Sequence, residues 1–314
     1  MKLSISIIAF IVAFLFIVFF IQIAKQKKII NKTRTPRYKE DVDDQQNCCG
    51  YEGQRTLVLY VFHQYNERVD YFIKNAVFEA PDVDFVFMCN DLTFDIESRL
   101  PHYVKSFRRE NKGYDFGAWS DLLIKHGYAY ADYDTFIFAN SSIKGPFMGN
   151  HKDERWTDIF CNGLNDVKLY GVTINCENFY GKIDPTENAH IQSYLFAVKK
   201  STRFEVIEDG IFSEIYIESF PELITKREIG MSRVIIKRGG NIGCTHDYYK
   251  GVDWRFTTKQ PSDYPIVFKS DIMYENSMDT LWTPDELVFF KGNRVDNRNI
   301  ITRVRDKIFY SIFV

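Results

Sequence analysis

From Thr56 onward the chain alternates short β-rich apolar runs with helical spacing, and this alternation limits what it can fold into. Thr56–Phe62 reads as a strand that ends at His63-Gln64-Tyr65-Asn66. Val69–Ala80 has helical spacing through Val69, Phe72, Ile73, Ala76 and Val77. Val83–Met88 predicts a second strand, Tyr103–Arg108 a third, Asp115–His126 a helix and Thr135–Phe138 a fourth strand. Leu169–Ile174 and Ser193–Val198 predict two more strands. Strands separated by helices predict an α/β fold with a mostly parallel sheet flanked by helices. In such sheets ligands sit beyond the carboxyl ends of the strands. Asn90, Asp91, Asn140, Ser141 and Ser142 should then share one rim. No internal repeat or low-complexity block interrupts the pattern.

Composition excludes several other classes. At 45% hydrophobic and 26% charged, the 314 residues hold enough apolar surface to offset ordering entropy. Seventeen Gly and nine Pro are too few for collagen-like chains, and six Cys too few for a disulfide scaffold. The net charge of −2 hides two unlike parts. Residues 1–40 hold eight basic side chains and one acid, Glu40. The remaining 32 basic and 41 acidic residues leave 41–314 at −9. A body that negative repels phosphate backbones, so nucleic acid is not an expected partner.

Leu3–Ala24 carries no charged side chain, and Ser4, Ser6 and Gln22 are its clearly polar members. As a helix it would reach about 33 Å, close to the ~30 Å hydrocarbon thickness. A cleaved signal peptide would be shorter and end in small residues, whereas this run leads into Lys25-Gln26-Lys27-Lys28. It reads as an uncleaved single-span anchor (1–24) in a lipid bilayer, followed by a basic and polar stalk (25–55) and a main domain (56–314). Seven basic residues follow the span, so the positive-inside rule places the body in the cytosol. A Golgi or ER lumen is the alternative; Asn31-Lys32-Thr33 is a glycosylation sequon but lies close to the membrane.

The stretch richest in chemical cues is Arg108-Arg109-Glu110-Asn111-Lys112-Gly113-Tyr114-Asp115-Phe116-Gly117-Ala118-Trp119. It lies between a strand and a helix. Two glycines let backbone approach a ligand, and Arg109 offers a fork of donors suited to phosphate. Asp115 stands near the helix start, where it would accept from a sugar or ribose hydroxyl. A helix-capping turn, with Asn111 or Asp115 as cap and Trp119 as core, explains the same spacing. A second stretch, Tyr133 to Phe147, carries a hydrophobic strand to Asn140-Ser141-Ser142 and turns at Gly145-Pro146. His190, His246, Cys176 and Cys244 lack zinc-site spacing, and no Gly-x-Ser-x-Gly elbow is present.

Arg-x-Asn-x-Gly-x-Asp-x-Gly-Ala-Trp, then Tyr-Asp, a strand, Asn-x-Ser and Gly-Pro-Phe, resembles the rhamnan synthesis protein F family. The likeness continues through Trp156, Leu169-Tyr170-Gly171, Gln192-Ser193-Tyr194, Glu228-Ile229-Gly230-Met231-Ser232 and Gly240-Asn241-Ile242. It covers most of 56–245. The layout also resembles the wider GT-A glycosyltransferase fold. The resemblance implies transfer of a sugar, of hexosyl or deoxyhexosyl type, from a nucleotide-sugar donor to a glycan or glycoconjugate acceptor. It places Arg109, Asn111, Gly113 and Asp115 at the donor, with Asp91 on the same rim. Asn140, Ser141 and Ser142 fill the DXD position, and Glu228 falls where a catalytic base is expected. Asp184, His190 and Gln192 would line an acceptor pocket. Family members usually show Asn-Asp-Ser where this chain has Ser141 in the middle. A divalent cation, Mg²⁺ or Mn²⁺, is implied at that place. Three readings stay open: another carboxylate (Asp91 or Asp115) holds the cation, Arg109 and Lys144 neutralise the diphosphate without one, or the site has lapsed into a binding scaffold. Beyond about residue 250 the chain is aromatic and charged, with Asp271–Phe290 expected as helix packed on the sheet. Val304–Val314 is too short to span a bilayer and reads as a docking or interfacial segment.

Overall fold

The computed structural model describes residues 53–149, 151–256, 271–273 and 282–295. The expected membrane segment, nearly all of the stalk and the Val304–Val314 segment lie outside them.

β1 (Thr56–Phe62) is buried along its whole length. Its residues alternate between two cores: Leu57, Leu59 and Val61 face one, Val58, Tyr60 and Phe62 the other. A period of two explains why a continuous apolar run is needed for a strand covered on both sides. α1 (Glu67–Asn75) begins at Asn66, whose side chain accepts from the Arg68 and Val69 amides at 3.0 and 3.3 Å. It ends at Asn75, short of the Ala80 its periodicity predicts, and Pro81 disfavours helical backbone at Ala80 itself. β2 (Val83–Cys89), β3 (Lys105–Arg108), α2 (Tyr114–Ser120) and β4 (Thr135–Asn140) follow. Next come β5 (Ile143–Lys144), α3 (Trp156–Gly163), β6 (Leu169–Gly171), β7 (Ile174–Asn175), α4 (Pro185–Asn188) and β8 (His190–Ile191). β9 (Leu195–Lys199), α5 (Lys200–Glu208), α6 (Phe220–Leu223), α7 (Gly230–Lys237), β10 (Ile242–Cys244), α8 (Pro284–Leu287) and β11 (Phe290–Lys291) complete the described elements.

Seven strands form the main sheet in the order β10-β6-β9-β4-β1-β2-β3. All neighbours are parallel except β9, which runs antiparallel to both β4 and β6. α1 and α3 cover one face; α2, α5 and α7 cover the other. From β1 the chain turns outward to β2 and β3, then returns through α2 to β4 on the other side of β1. The strand order therefore reverses between β1 and β4, and a crevice opens beyond their carboxyl ends.

Two expectations need correction. Leu169–Ile174 is not one strand: it breaks at Val172-Thr173, so that β6 stays in the main sheet while β7 pairs with β8. Thr173 spends its hydroxyl on Gln192 Oε1 at 2.7 Å, and its carbonyl accepts the Gln192 amide at 3.2 Å. The described part of Asp271–Phe290 is not a long helix either. Thr283 caps α8 reciprocally with Glu286, Pro284 takes its first turn, and Val288 leaves helical backbone at φ 64°. The chain then enters β11, which pairs antiparallel with β5.

Candidate functional site

The Arg109–Trp119 segment is organised first by its own backbone. Arg109, 9% exposed, donates Nη2 to the Lys112 carbonyl at 2.9 Å and Nη1 to Asn90 Oδ1 at 3.2 Å. Its Nε lies 2.7 Å from Asp121 Oδ2, an ion pair without hydrogen-bond alignment. Tyr216 covers the guanidinium at 5.1 Å. Gly113 adopts the left-handed conformation at φ 69° just before α2. Gly117 lets the loop lie against the helix, since a Cβ there would meet the Lys112 carbonyl oxygen at 2.2 Å. Trp119 is fully buried and donates its indole N–H to the Leu59 carbonyl at 3.2 Å. These contacts leave Asp115, on the first turn of α2, turned toward the crevice.

Asp115 meets the end of β4 there. Its Oδ2 accepts from Asn140 Nδ2 at 2.8 Å, and Asn140 Oδ1 accepts the Ser142 amide at 2.9 Å. The two sequence segments thus close on one another at the switch point. Burial raises the Asp115 pKa to about 7, against the Asn140 hydrogen bond, and the nearby Glu228 charge adds to the rise.

A cavity of about 760 Å³ opens above this contact. Asn111, Asp115, Asn140 and Ser142 line one side, and His190, Gln192, Ser193 and Glu228 another. Glu228 sits on a π-type turn (Ile224–Ile229) between α6 and α7. Its Oε2 accepts from the Ser193 amide at 2.7 Å and from the Ser193 hydroxyl. Its Oε1 lies 3.7 Å from His190 Nε2. His190 Nδ1 donates to the Asn188 carbonyl at 2.6 Å, which turns Nε2 toward the acid. Burial lowers the His190 pKa, so the imidazole is favoured as the neutral ring.

The third wall is one that no sequence pattern indicated. Asp271, 4% exposed, accepts on Oδ2 from Gln192 Nε2 at 2.8 Å, from Lys291 Nζ at 3.2 Å and from Arg294 Nη1. Its Oδ1 accepts the Met273 amide at 3.0 Å. Burial pushes the Asp271 pKa up, but Lys291, Gln192, the Met273 amide and Arg294 outweigh it and hold the carboxyl low. Lys291 also lies 5.1 Å from the centre of the Tyr194 ring. Thr173 donates to Gln192, so the Tyr194 hydroxyl must donate to Thr173 across 2.7 Å. At the mouth stand Tyr114, Phe179 and Phe220, with Tyr180 beside them. All are exposed, and Phe220 packs edge-on against Tyr114 and Phe179 at 5.7 and 6.0 Å.

The cavity therefore gathers Asn111, Asp115, Asn140, Ser142, His190, Gln192 and Glu228, but not every residue expected at the site. Arg109 was expected to grip phosphate and is instead consumed by Asn90, Lys112 and Asp121. Gly113 shapes the loop from behind, against Tyr216. The Ser141 backbone is held between the Val61 carbonyl and Arg68 Nε, at 3.1 and 2.8 Å, and Ser141 does not line the cavity. Asp91 closes its own turn on the Thr93 hydroxyl and amide, which lower its pKa. Asp184 caps α4 through Thr186 and Glu187. Lys144 faces the Tyr71 ring at 5.8 Å. A second cavity, of about 770 Å³, lies by β6 and β10, away from the rim where these groups converge.

The strand end fits a divalent cation poorly. Asn140 turns its amide nitrogen toward Asp115 and gives its oxygen to Ser142, so the pair presents no joint set of oxygens. Glu228 is committed to Ser193, and Asp271 to two cations. Among the described residues no three His, Cys, Asp or Glu side chains cluster as metal ligands.

Residues 85–279 match the family description "Rhamnan synthesis protein F". The chain belongs to the rhamnan synthesis protein F family. The shared span includes the Arg109–Trp119 loop, β4, Glu228 and Asp271, and ends before Lys291 and Arg294. No curated protein matches the sequence. Among solved structures, the chain aligns with the mannosyltransferase PcManGT from Pyrobaculum calidifontis in complex with GDP-Man and Mn²⁺. The TM-score is 0.38 and the identity 11%, over 60% of this chain and 54% of that one. A CMP:2-keto-3-deoxy-manno-octonic acid synthetase complexed with CTP aligns at TM-score 0.36 and 10% identity, over 60% and 88%. The glycosyltransferase GlyE of Streptococcus pneumoniae aligns at 0.35 and 10%, over 63% and 46%. The chain spans about half the length of the mannosyltransferase.

Proposed function

We propose that this chain is a membrane-anchored glycosyltransferase of GT-A-like architecture that moves a sugar from a nucleotide-sugar donor to a glycan or glycoconjugate acceptor. The observation that carries the reading is the contact between Asp115 and Asn140 at the strand-order reversal, with Glu228 facing the same cavity. In this reading Asn111, Asp115, Asn140 and Ser142 hold the donor. The acceptor oxygen attacks the anomeric carbon, the glycosyl–phosphate bond breaks, and the nucleoside diphosphate leaves with the bonding pair. Glu228 takes the acceptor's hydroxyl proton. Ser193 fixes Oε2 of Glu228, which keeps Oε1 as the oxygen that receives it. His190 Nε2 lies 3.7 Å from that oxygen, on a ring that burial favours as neutral.

The exposed aromatic rim supports a sugar acceptor. Tyr114, Phe179, Tyr180 and Phe220 offer flat faces at the mouth, and an exposed apolar cluster beside a polar cavity marks a binding surface. Gln192 and His190 then lie deeper, toward the transferred sugar. The uncharged Leu3–Ala24 run and the basic residues after it support an N-terminal bilayer anchor with the body in the cytosol.

A second reading, a scaffold that binds in a glycan-assembly complex without turnover, draws on the absence of a carboxylate at 140–142. Incubation with UDP-, GDP- and dTDP-sugars, with and without Mn²⁺, separates the two. The transferase reading expects slow hydrolysis or binding of one donor. Absence of both with every donor favours the scaffold.

A further inference from the structure

We propose that Lys291 and Arg294, rather than a divalent cation at the end of β4, neutralise the diphosphate of the bound nucleotide. This rests on the donor-binding reading above and names how that site handles charge. The first observation is register. β11 lies antiparallel to β5 with Lys291 opposite Ile143, the residue after Ser142. Lys291 is thereby delivered beside the strand end where the family resemblance places the diphosphate. Gly292 makes the approach close, because a Cβ there would meet Lys144 Cβ at 2.7 Å.

The second observation is how the cations are held. Both meet the same carboxylate oxygen, Asp271 Oδ2, and both line the cavity. Lys291 is further confined by the Tyr194 ring, and its side chain is 12% exposed. Charges fixed in a partly desolvated wall stabilise an anion without having to reorganise when it arrives. A guanidinium adds a planar fork suited to phosphate oxygens. The third observation is the strand end itself, where the Asn140 side-chain amide is turned onto Asp115 and onto the Ser142 backbone N–H. Lys291 and Arg294 lie beyond the residues matched by the family model, 85–279.

The test uses the full-length protein in detergent. Binding of UDP, GDP, CDP and dTDP is measured calorimetrically, once in EDTA and once in excess Mn²⁺. One diphosphate is expected to bind in EDTA within about threefold of its Mn²⁺ affinity, a difference of about 0.65 kcal/mol. Lys291→Ala and Arg294→Ala should each weaken it about tenfold, the loss of one charge-assisted hydrogen bond. The corresponding nucleoside should bind the variants as it binds the wild type. Asp271→Asn keeps both cations and removes their competing anion, so diphosphate affinity should hold or rise. Should Lys291→Ala fail to fold, the double change Asp271→Asn with Lys291→Met removes the buried pair together and should still lose affinity. Binding that requires Mn²⁺, or folded cation variants with wild-type affinity, overturns the proposal while leaving the donor site standing. No binding of any nucleotide or nucleotide-sugar under either condition overturns the donor reading, and this one with it.

Discussion

The Arg109–Trp119 loop and the 271–294 segment contribute to one cavity in opposite ways. The loop is conspicuous in sequence, yet most of its distinctive residues serve the backbone. Arg109 ties Asn90, the Lys112 carbonyl and Asp121 together, Gly113 takes left-handed backbone, Gly117 admits the Lys112 carbonyl, and Trp119 fills the core. Asn111 and Asp115 are the loop's polar side chains that reach the cavity. The later segment shows no motif, and it supplies Asp271, Lys291 and Arg294. A motif is loud where the backbone has exacting demands. A charged wall needs only the right side chains in the right place, and spacing does not encode that.

The contrast breaks most easily at the two arginines. Arg109→Ala should destabilise the fold by about 3 kcal/mol, because it removes one member of a buried ion pair. Asp121 retains Lys125 and the Tyr216 hydroxyl, at 2.9 and 2.7 Å, which limits the loss. Chemical denaturation measures this, and Arg294→Ala should cost less, because the Arg294 side chain is 32% exposed and Asp271 keeps Lys291 and Gln192. An Arg109→Ala protein of wild-type stability would mean that the loop is not braced as described.

Asp115→Asn should weaken donor binding about 100-fold, about 2.7 kcal/mol. It should also stabilise the protein at high pH. The folded pKa of about 7 lies above the ordinary carboxyl value of 3.8, so the folded state binds more protons between them. Stability is then full below about 3.8 and falls as pH rises through about 7. The variant should melt higher than the wild type at pH 8 and equally at the acid end of that window. Equal melting at both ends would show that the Asp115 carboxyl is not raised in the folded protein.

Gly117→Ala should cost about 2 kcal/mol, the usual scale for overpacking, since its Cβ collides with backbone rather than a flexible side chain. Melting curves would show it. A Gly117→Ala protein with unchanged stability would show the loop can move away. The smallest effect should come from the rim. Phe179→Ala and Tyr180→Ala should raise the acceptor KM about fivefold, with stability within about 0.5 kcal/mol. Unchanged acceptor kinetics would remove the aromatic rim from the acceptor site.

Several elements were legible in the residue order because they obey local rules. β1 and β2 are apolar, β-rich runs, and both are strands at the places the residue order predicts. The predicted donor loop and strand end do meet, through Asp115 and Asn140. Other readings failed for tertiary reasons. Arg109 looked like a phosphate ligand because its side chain suits phosphate, but an internal carbonyl, an amide and a carboxylate claim it first. Asp91 looked like a rim acid and Asp184 like an acceptor-pocket acid, and each instead caps its own turn.

Residue order alone determined the alternation of strand and helix, the family motifs, and the long uncharged run at the N-terminus, because each depends on neighbours within a few positions. Tertiary structure alone decided which polar groups share a cavity. The antiparallel return of β9, the π-type turn bearing Glu228 and the pairing of β11 with β5 bring together residues from distant parts of the chain. Chain topology sets those distances, and with them the charge state of Asp115 and the company of Lys291.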